Sequence, residues 1–344
     1  MNILITGGAG YLGSILINKL IQARHSKENL SFYDNLIHNN EKFKDYDKNS
    51  HYIDYHKIIV LDNLLYRQVC LTDYCYQGTF EFIHGDVRDQ TSLKKLINKA
   101  DIIIPLAAIV GAPACDKDPK LAKQVNYEQI KFILSNTTKN QKIIYPNTNS
   151  GYGIGKPGVP CTEETLLNPI SVYGRTKCDA EKALLDSGRA ITLRLATVFG
   201  VSPRMRLDLL VNDFVYKAIT DGYLVLFEKD FIRNYIHIQD VALTFIYMMN
   251  TYKQNIGNTF NVGLSSANLS KWDLAKKIKE YIPKLVIKWD NFKEDLDKRD
   301  YIVSNEKLEK LGWTPYYTLD MGIQELIKAY KIINYNLNRN FTNL

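Results

Sequence analysis

Asn2-Ile-Leu-Ile-Thr6 runs without a break into Gly7-Gly-Ala-Gly-Tyr-Leu-Gly13 and then into Ser14-Ile-Leu-Ile-Asn-Lys-Leu-Ile21. The first segment reads as a short buried strand, and the last has the apolar spacing of a helix. A strand, a glycine turn and a helix in immediate succession make a cradle for phosphate. Gly7 permits the tight turn, Gly10 lets backbone N–H groups approach a pyrophosphate, and Gly13 lets the helix lie against the strand. Tyr11 and Leu12, inside the same turn, join these glycines as expected cofactor contacts.

In such a fold the second strand ends in an acid that grips the ribose beside the cradle. Two acids qualify. Asp34 closes Leu30-Ser-Phe-Tyr-Asp34 and stands 34 − 13 = 21 positions past Gly13. Asp62 closes Lys57-Ile-Ile-Val-Leu-Asp62. The second run is the better strand, with consecutive β-branched residues and no polar interruption. Asp62 also stands 86 − 62 = 24 positions before Asp86, a length suited to one crossover. Asp62, with Asn63 after it, is the expected ribose ligand, and Asp34 is the alternative. Residues 24–56 then form an insertion rich in Asn, Lys, Asp, Tyr and His. Such a loop is either functional or a solvated excursion. An acid at either position repels the extra phosphate of NADP, so NAD is the expected cofactor.

Further strands and helices alternate along the chain. Thr79 to His84 reads as the third strand, with Asp86 placed to meet an adenine and Val87 beside it. Ser92 to Lys99 reads as a helix, and Asp101 to Ala108 as the fourth strand, where Leu106, Ala107 and Ala108 leave room for a cofactor. Pro119 to Asn136 reads as a helix containing Asn126, with Asp118 as N-cap and Pro119 in the first helical position. Gln141 to Tyr145 reads as the fifth strand. Thr148 falls just beyond its C-terminal end, where ligands of parallel sheets sit. Ala190 to Phe199 reads as one more strand, carrying Ala196 and Thr197. Ser270-Lys-Trp-Asp273 has the form of a capping box before a helix through Tyr281.

Thr148-Asn-Ser-Gly-Tyr-Gly153 and Tyr173-Gly-Arg-Thr-Lys177 carry the chemistry. A helix over 176–185 lets Tyr173 and Lys177, four apart, share one face. With 23 tyrosines in the chain, a chance copy of this spacing is no surprise, and Tyr127 to Lys131 is one. The helix of that copy precedes the fifth strand, so it should pack on the flank of the sheet. Arg204, Arg206, Arg233 and Lys298-Arg299-Asp300 lie in the last part of the chain. A single arginine more often faces solvent than a ligand.

The 344 residues suffice for one large or two smaller domains. Apolar content of 45 % and charged content of 24 % are ordinary for a globular protein. A net charge of +7 without a dense basic block suits a small anionic ligand and argues against nucleic acid. Five cysteines, with no Cys-x-x-Cys pair, speak against a zinc site or a disulfide framework, so no metal is expected. No basic leader or cleavage site is visible. The apolar run Ile102 to Cys115 is short and broken by Pro105, Gly111 and Pro113, too short to cross a bilayer. A cytoplasmic protein without membrane partners is expected.

The ordered set Thr6 to Gly13, Gly85-Asp86, Leu106-Ala-Ala108, Asn126, Tyr152-Gly153, Tyr173-x-x-x-Lys177, Arg194 with Val198-Phe-Gly200, Arg233-Asn-Tyr-Ile-His237 and Gly312-Trp-x-Pro315 resembles an extended short-chain dehydrogenase/reductase acting on nucleotide sugars. It covers nearly the whole chain except 24–56. Pro105 to Pro113, Tyr145 to Gly153 and Ser202 to Asn212 are similar, more narrowly, to the GDP-manno-heptose 4-dehydrogenase group of surface-polysaccharide pathways. The resemblance implies an α/β fold. A Rossmann-type doubly wound parallel sheet for NAD would take residues 1–200 and 234–262. A smaller α/β substrate domain would take 201–233 and 263–344. Arg233 and Arg299 would bind the diphosphate of a nucleotide-diphospho-sugar, a GDP-sugar by preference, because guanidinium forks suit phosphate oxygens. Thr148, Asn149, Thr197, Arg204, Arg206 and Asp208 would lie near the substrate. A homodimer through the helices around Asn126 and Lys177 is implied as well. Pro105 stands where the family has a His, Thr197 where it has an Asn, and Asn234 and Gln239 where it has acids.

The same resemblance implies a reaction. Tyr173 as phenolate takes the proton of a sugar hydroxyl, at C4, while the adjacent C–H delivers hydride to NAD. Lys177 and the nicotinamide cation favour that phenolate, and Lys177 holds the nicotinamide ribose. Thr148 orients the substrate oxygen. Sugar 4,6-dehydratases of the family carry a Glu where this chain has Ser150, and a neutral serine is a poor base. No cysteine lies beside Thr148 in the run to Gly153, as a 3,5-epimerase would require. A 4-dehydrogenase and a 4-epimerase remain, with the narrower resemblance favouring the first. A non-catalytic NAD-binding scaffold is disfavoured because Tyr173 and Lys177 are both kept.

Overall fold

β1 (Asn2–Thr6) is the axis around which the rest of the computed structural model is assembled. Residues 1–25, 53–290 and 299–333 are described. β1 lies between β2 (Lys57–Asp62) and β4 (Ile102–Pro105), both parallel to it. With β3 (Phe80–His84), β5 (Lys142–Thr148), β6 (Ala190–Leu195) and β10 (Thr259–Val262) they form a seven-stranded parallel sheet in the order β10-β6-β5-β4-β1-β2-β3.

Side chains alternate across the sheet, so each strand feeds two cores. Ile3, Ile5, Ile58, Val60, Ile102 and Ile104 share one core with helices α1 (Tyr11–His25) and, later in the chain, α6 (Ile238–Asn250). Leu4, Ile59, Leu61, Ile103 and Ile143 share the other with three further helices. These are α2 (Gln90–Ile97), α3 (Pro119–Asn136) and α4 (Val172–Asp186). Both faces being covered explains why the strands read as apolar runs rather than alternating ones. Each fully buried Ile or Leu contributes about 1.5–3 kcal/mol.

A smaller three-stranded sheet sits beside the large one. It contains β7 (Thr197–Phe199), β9 (Ile232–His237) and β11 (Asn268–Ser270), with β9 central, parallel to β7 and antiparallel to β11. β8 (Tyr223–Phe227) and β12 (Val286–Asp290) pair in parallel. Helix α5 (Leu210–Thr220), α7 (Lys271–Tyr281) and α8 (Leu319–Ile333) complete this side. The expected caps are present: Asp118 accepts from Leu121 N at 2.9 Å, and Ser270 accepts from Asp273 N at 3.0 Å.

Four elements differ from the sequence reading. The strand expected over 190–199 breaks at Ala196, and its two parts join different sheets. β4 stops at Pro105, so Leu106 to Ala108 belong to the loop above it. β5 extends to Thr148 itself. α3 carries a π-helical turn at Gln124–Glu128. Asp34 and most of the insertion, residues 26–52, lie outside the described residues, as does Lys298. The ends of the insertion are anchored: Ile53 and Tyr55 are buried, and the Arg24 guanidinium lies 5.2 Å from the centroid of the Tyr55 ring. Among the described residues no helix is long and apolar enough to cross a membrane, all five cysteines are free thiols, and no cluster of metal-ligating side chains occurs.

Candidate active site

The C-terminal ends of β1, β2, β4 and β5 open into one cavity of about 620 Å³ that extends under the smaller sheet. At its sheet end the backbone is bare. Gly7 has φ 72°, and a Cβ there would lie 2.5 Å from Ala107 N. A Cβ on Gly13 would meet Gly7 O and Gly8 Cα at 2.6 Å. No larger residue fits either position, and the turn passes into α1 through Ser14 N, which donates to Gly10 O at 3.0 Å. Asp62 ends β2 beside this turn, with its carboxylate accepting from Ala9 N at 2.9 Å and Leu64 N at 2.8 Å. Burial pushes its pKa up, against the pull of those two N–H groups. Asp86 lies next along the rim. Arg88 grips it through Nε and Nη2, both at 2.9 Å, and Asn63 donates to it at 3.1 Å. The Arg88 bonds hold the carboxyl down at about 2. The bare glycine cradle, with an acid at the end of the neighbouring strand, fits a dinucleotide without a phosphate on its adenosine ribose.

Thr148 is the last residue of β5, and Tyr173 and Lys177 sit one turn apart on α4, whose first turn is capped by Ser171 Oγ. All three line the cavity. Burial pushes the Tyr173 phenol up to about 12, opposed by the positive charges of Arg206 and Arg299. Burial also lowers Lys177 to about 7. Its ammonium lies 3.9 Å from the centroid of the Tyr145 ring, a cation–π contact. The sequence pointed to Lys177 as the protein cation beside Tyr173. Arg206 and Arg299, which line the same cavity, add positive charge that favours its phenolate. Thr148 Oγ1 and Ser150 Oγ are 2.9 Å apart, Ser150 N donates to Thr148 Oγ1 at 3.1 Å, and Arg299 Nη1 donates to Ser150 Oγ.

The far end of the cavity is cationic. Arg204, Arg206 and Arg233, which read as surface charges one at a time, are all buried there, together with Lys271. Arg206 pairs with Asp208 at 2.5 Å. The Arg204 guanidinium lies 4.7 Å from the centroid of the Tyr66 ring, and that of Arg233 lies 5.7 Å from that of Tyr301. Ala196 and Thr197 line the wall at the break between β6 and β7.

Gly7, Gly10, Tyr11, Leu12, Gly13, Asp62, Asn63, Asp86, Val87, Leu106, Ala107, Ala108, Thr148, Tyr173, Lys177, Ala196, Thr197, Arg204, Arg206, Asp208, Arg233 and Arg299 all line this one cavity. Two expected contacts do not. Asn126, in the π turn, is buried and spans the loop after β4: it accepts from Ile109 N at 2.8 Å and donates to Ile109 O at 3.0 Å. Its carboxamide shapes the cofactor side of the cavity from behind. Asn149 is 1 % exposed, and the 3₁₀ turn Asn149–Tyr152 leaves its side chain off the cavity wall. Tyr127 and Lys131 pack on each other at 5.6 Å, also off the cavity. Sequence reasoning did not select Tyr66, Arg88, Ser150 or Lys271 as contacts, yet all line the cavity. Arg88 was detectable, two residues after Asp86; Tyr66 and Lys271 carry no local signal.

Residues 3–263 match the profile of a family described as the NAD dependent epimerase/dehydratase family. The chain is 23 % identical to the low-salt glycan biosynthesis protein Agl12 of Haloferax volcanii, over 96 % of this chain and 98 % of that one. It is 26 % identical to CDP-paratose 2-epimerase of Salmonella typhi, over 95 % and 98 %. Among solved structures, DesIV, a dTDP-glucose 4,6-dehydratase of Streptomyces venezuelae with NAD bound, superposes with a TM-score of 0.77 at 21 % identity, covering 97 % of this chain and 98 % of that one.

Proposed function

The chain belongs to the NAD-dependent epimerase/dehydratase family, and on that premise we propose that it oxidises C4 of a nucleotide-diphospho-sugar, with GDP-manno-heptose the favoured substrate. The observation that carries the reading is that Thr148, Tyr173 and Lys177 line the same cavity as the glycine cradle and as Arg204, Arg206, Arg233 and Arg299. NAD, when bound, supplies the hydride acceptor. Gly7, Gly10, Gly13 and Asp62 hold it, and Asp62 disfavours the phosphorylated cofactor. Arg233 and Arg299 take the diphosphate. Tyr173 Oη accepts the proton of the sugar hydroxyl, Thr148 holds the sugar oxygen, and Lys177 binds the ribose of the cofactor. Arg206 and Arg299 stabilise the charge that Tyr173 must carry.

Dehydration is disfavoured by Ser150. Its hydroxyl is tied to Thr148 and Arg299, so no carboxylate stands in its place to remove a second proton. A 4-epimerase is the second reading, favoured by the likeness to UDP-glucose 4-epimerase of Lactobacillus helveticus, 25 % identical over 81 % of this chain. In that case the ketone turns within the cavity and takes the hydride back. A scaffold without catalysis is disfavoured, because both Tyr173 and Lys177 face the cavity. We also propose that residues 1–200 with 234–262 serve the cofactor and 201–233 with 263–344 the sugar nucleotide. A cytoplasmic homodimer through α3 and α4 rests on the family resemblance, and sedimentation tests its mass.

Incubation of the purified protein and NAD with GDP- and UDP-sugars decides among the outcomes. A 4-keto product with stoichiometric NADH supports the dehydrogenase, and a C4 epimer without net NADH supports the alternative. A 4-keto-6-deoxy product would overturn the reading of Ser150.

A further inference from the structure

We propose that Ser150 and Arg299 are positioning residues that fix the direction of the Thr148 hydroxyl proton, making Thr148 a hydrogen-bond donor toward the sugar oxygen. The inference rests on reading the cavity as a sugar-oxidising site. Donor and acceptor roles decide it. A guanidinium has only donors, and Arg299 Nη1 donates to Ser150 Oγ. A backbone N–H also only donates, and Ser150 N donates to Thr148 Oγ1 at 3.1 Å. The Arg299 charge turns the proton of Ser150 away from itself, and Thr148 Oγ1, at 2.9 Å, is the acceptor on that side. Thr148 Oγ1 thus accepts twice within its own turn. Its proton is left to point into the cavity that the residue lines.

The consequence is chemical. On oxidation the carbinol loses its hydroxyl proton to Tyr173 Oη and a hydride from carbon to NAD, and a ketone remains. The sugar oxygen keeps only lone pairs and gathers negative charge as the O–H bond breaks. A donor already aimed at that oxygen stabilises the charge without reorganisation. A carboxylate at position 150 could only accept. It would draw the Thr148 proton inward and present a Thr148 lone pair to the ketone. Serine at this position therefore selects the polarity of Thr148 as well as removing a base.

Neutron diffraction from deuterated protein with NAD bound reads the polarity directly and does not depend on which sugar is turned over. The expected map places the Ser150 deuteron toward Thr148 Oγ1 and the Thr148 deuteron toward the cavity. A Thr148 deuteron on the line to Ser150 overturns the proposal. A kinetic comparison of S150A and S150T with the parent, on GDP-mannose and UDP-glucose, supplies the second readout. In S150A kcat falls about tenfold or more while KM stays within about twofold, and the bound equilibrium shifts from ketone and NADH toward alcohol and NAD. S150T restores both. An S150A protein that keeps its melting temperature, kcat and internal equilibrium overturns the proposal, as does a loss confined to KM. If the parent oxidises neither of these sugars nor GDP-manno-heptose, the proposed function fails, and the neutron map alone decides the polarity.

Discussion

At Tyr173 the fold disfavours the form that the proposed oxidation needs. The phenol is pushed up to about 12 by burial, so almost none of it is ionised near neutral pH until a cation joins it. Tyr173→Phe keeps the ring and removes the proton acceptor. We expect kcat to fall about 10²–10⁴-fold with the Kd for NAD unchanged, measured by turnover and calorimetry. Lys177 shows the same conflict with opposite sign. Its ordinary value of 10.5 drops to about 7 in the fold, so between these values the unfolded chain binds more protons than the folded one. Stability contributed at this site therefore rises with pH through that window, by at most about 1.4 kcal/mol per pH unit. Lys177→Met should abolish turnover yet stabilise the cofactor-free protein. Its gain in urea denaturation should be full below the folded value and fade toward the unfolded one; a gain that grew with pH would contradict the assignment. The spacing of Tyr173 and Lys177 was legible because four residues make one helical turn. Asn149 was misplaced because a tight turn, unlike a helix, gives side-chain direction no fixed period.

α4 is held between β5 and β6 by one buried carboxylate. Glu181 binds Arg194 Nε and Nη2 at 3.0 and 2.8 Å, and also accepts from Asn147 at 2.7 Å and Thr192 at 3.2 Å. Arg194 in turn donates to Tyr152 OH at 3.0 Å. Glu181 lies one turn beyond Lys177 on the same helix, so this pair sets the depth at which the cavity-lining face of α4 sits. Glu181→Ala strands a buried guanidinium. It should cost about 3–5 kcal/mol in chemical denaturation, well above the median for an exposed ion pair. Element identity followed from pattern: apolar runs gave the parallel strands, and Asp118 and Ser270 gave helix starts. The break at Ala196 did not, because Ala190 to Phe199 is continuously strand-like. Only the competing sheets, one offering β10 and the other β9, split it.

In the whole molecule the large sheet presents the cofactor cradle and the smaller sheet presents cations to the same cavity. NAD at about 100 times its Kd should raise the unfolding free energy by about 2.7 kcal/mol, read as a thermal shift. NADP should give less, and Asp62→Ala should narrow that difference, since the 2′-phosphate then meets no anion. An equal response to both cofactors in the parent would contradict the role given to Asp62. The sequence by itself determined the parallel α/β core and the glycine cradle, and it pointed to Thr148, Tyr173 and Lys177. The cradle and the Tyr173–Lys177 spacing depend on residues within a turn or two of one another, where backbone geometry is local, and each strand of the parallel core reads as an apolar run on its own. It also favoured Asp62 over Asp34 by strand quality alone. The tertiary structure decided which arginines leave solvent and brought Arg206 and Arg299 into one cavity with Tyr173. It also joined Ser150 to Arg299, 149 positions apart. Those relations depend on how two sheets pack, and packing is set by the summed burial of many side chains rather than by any stretch read alone.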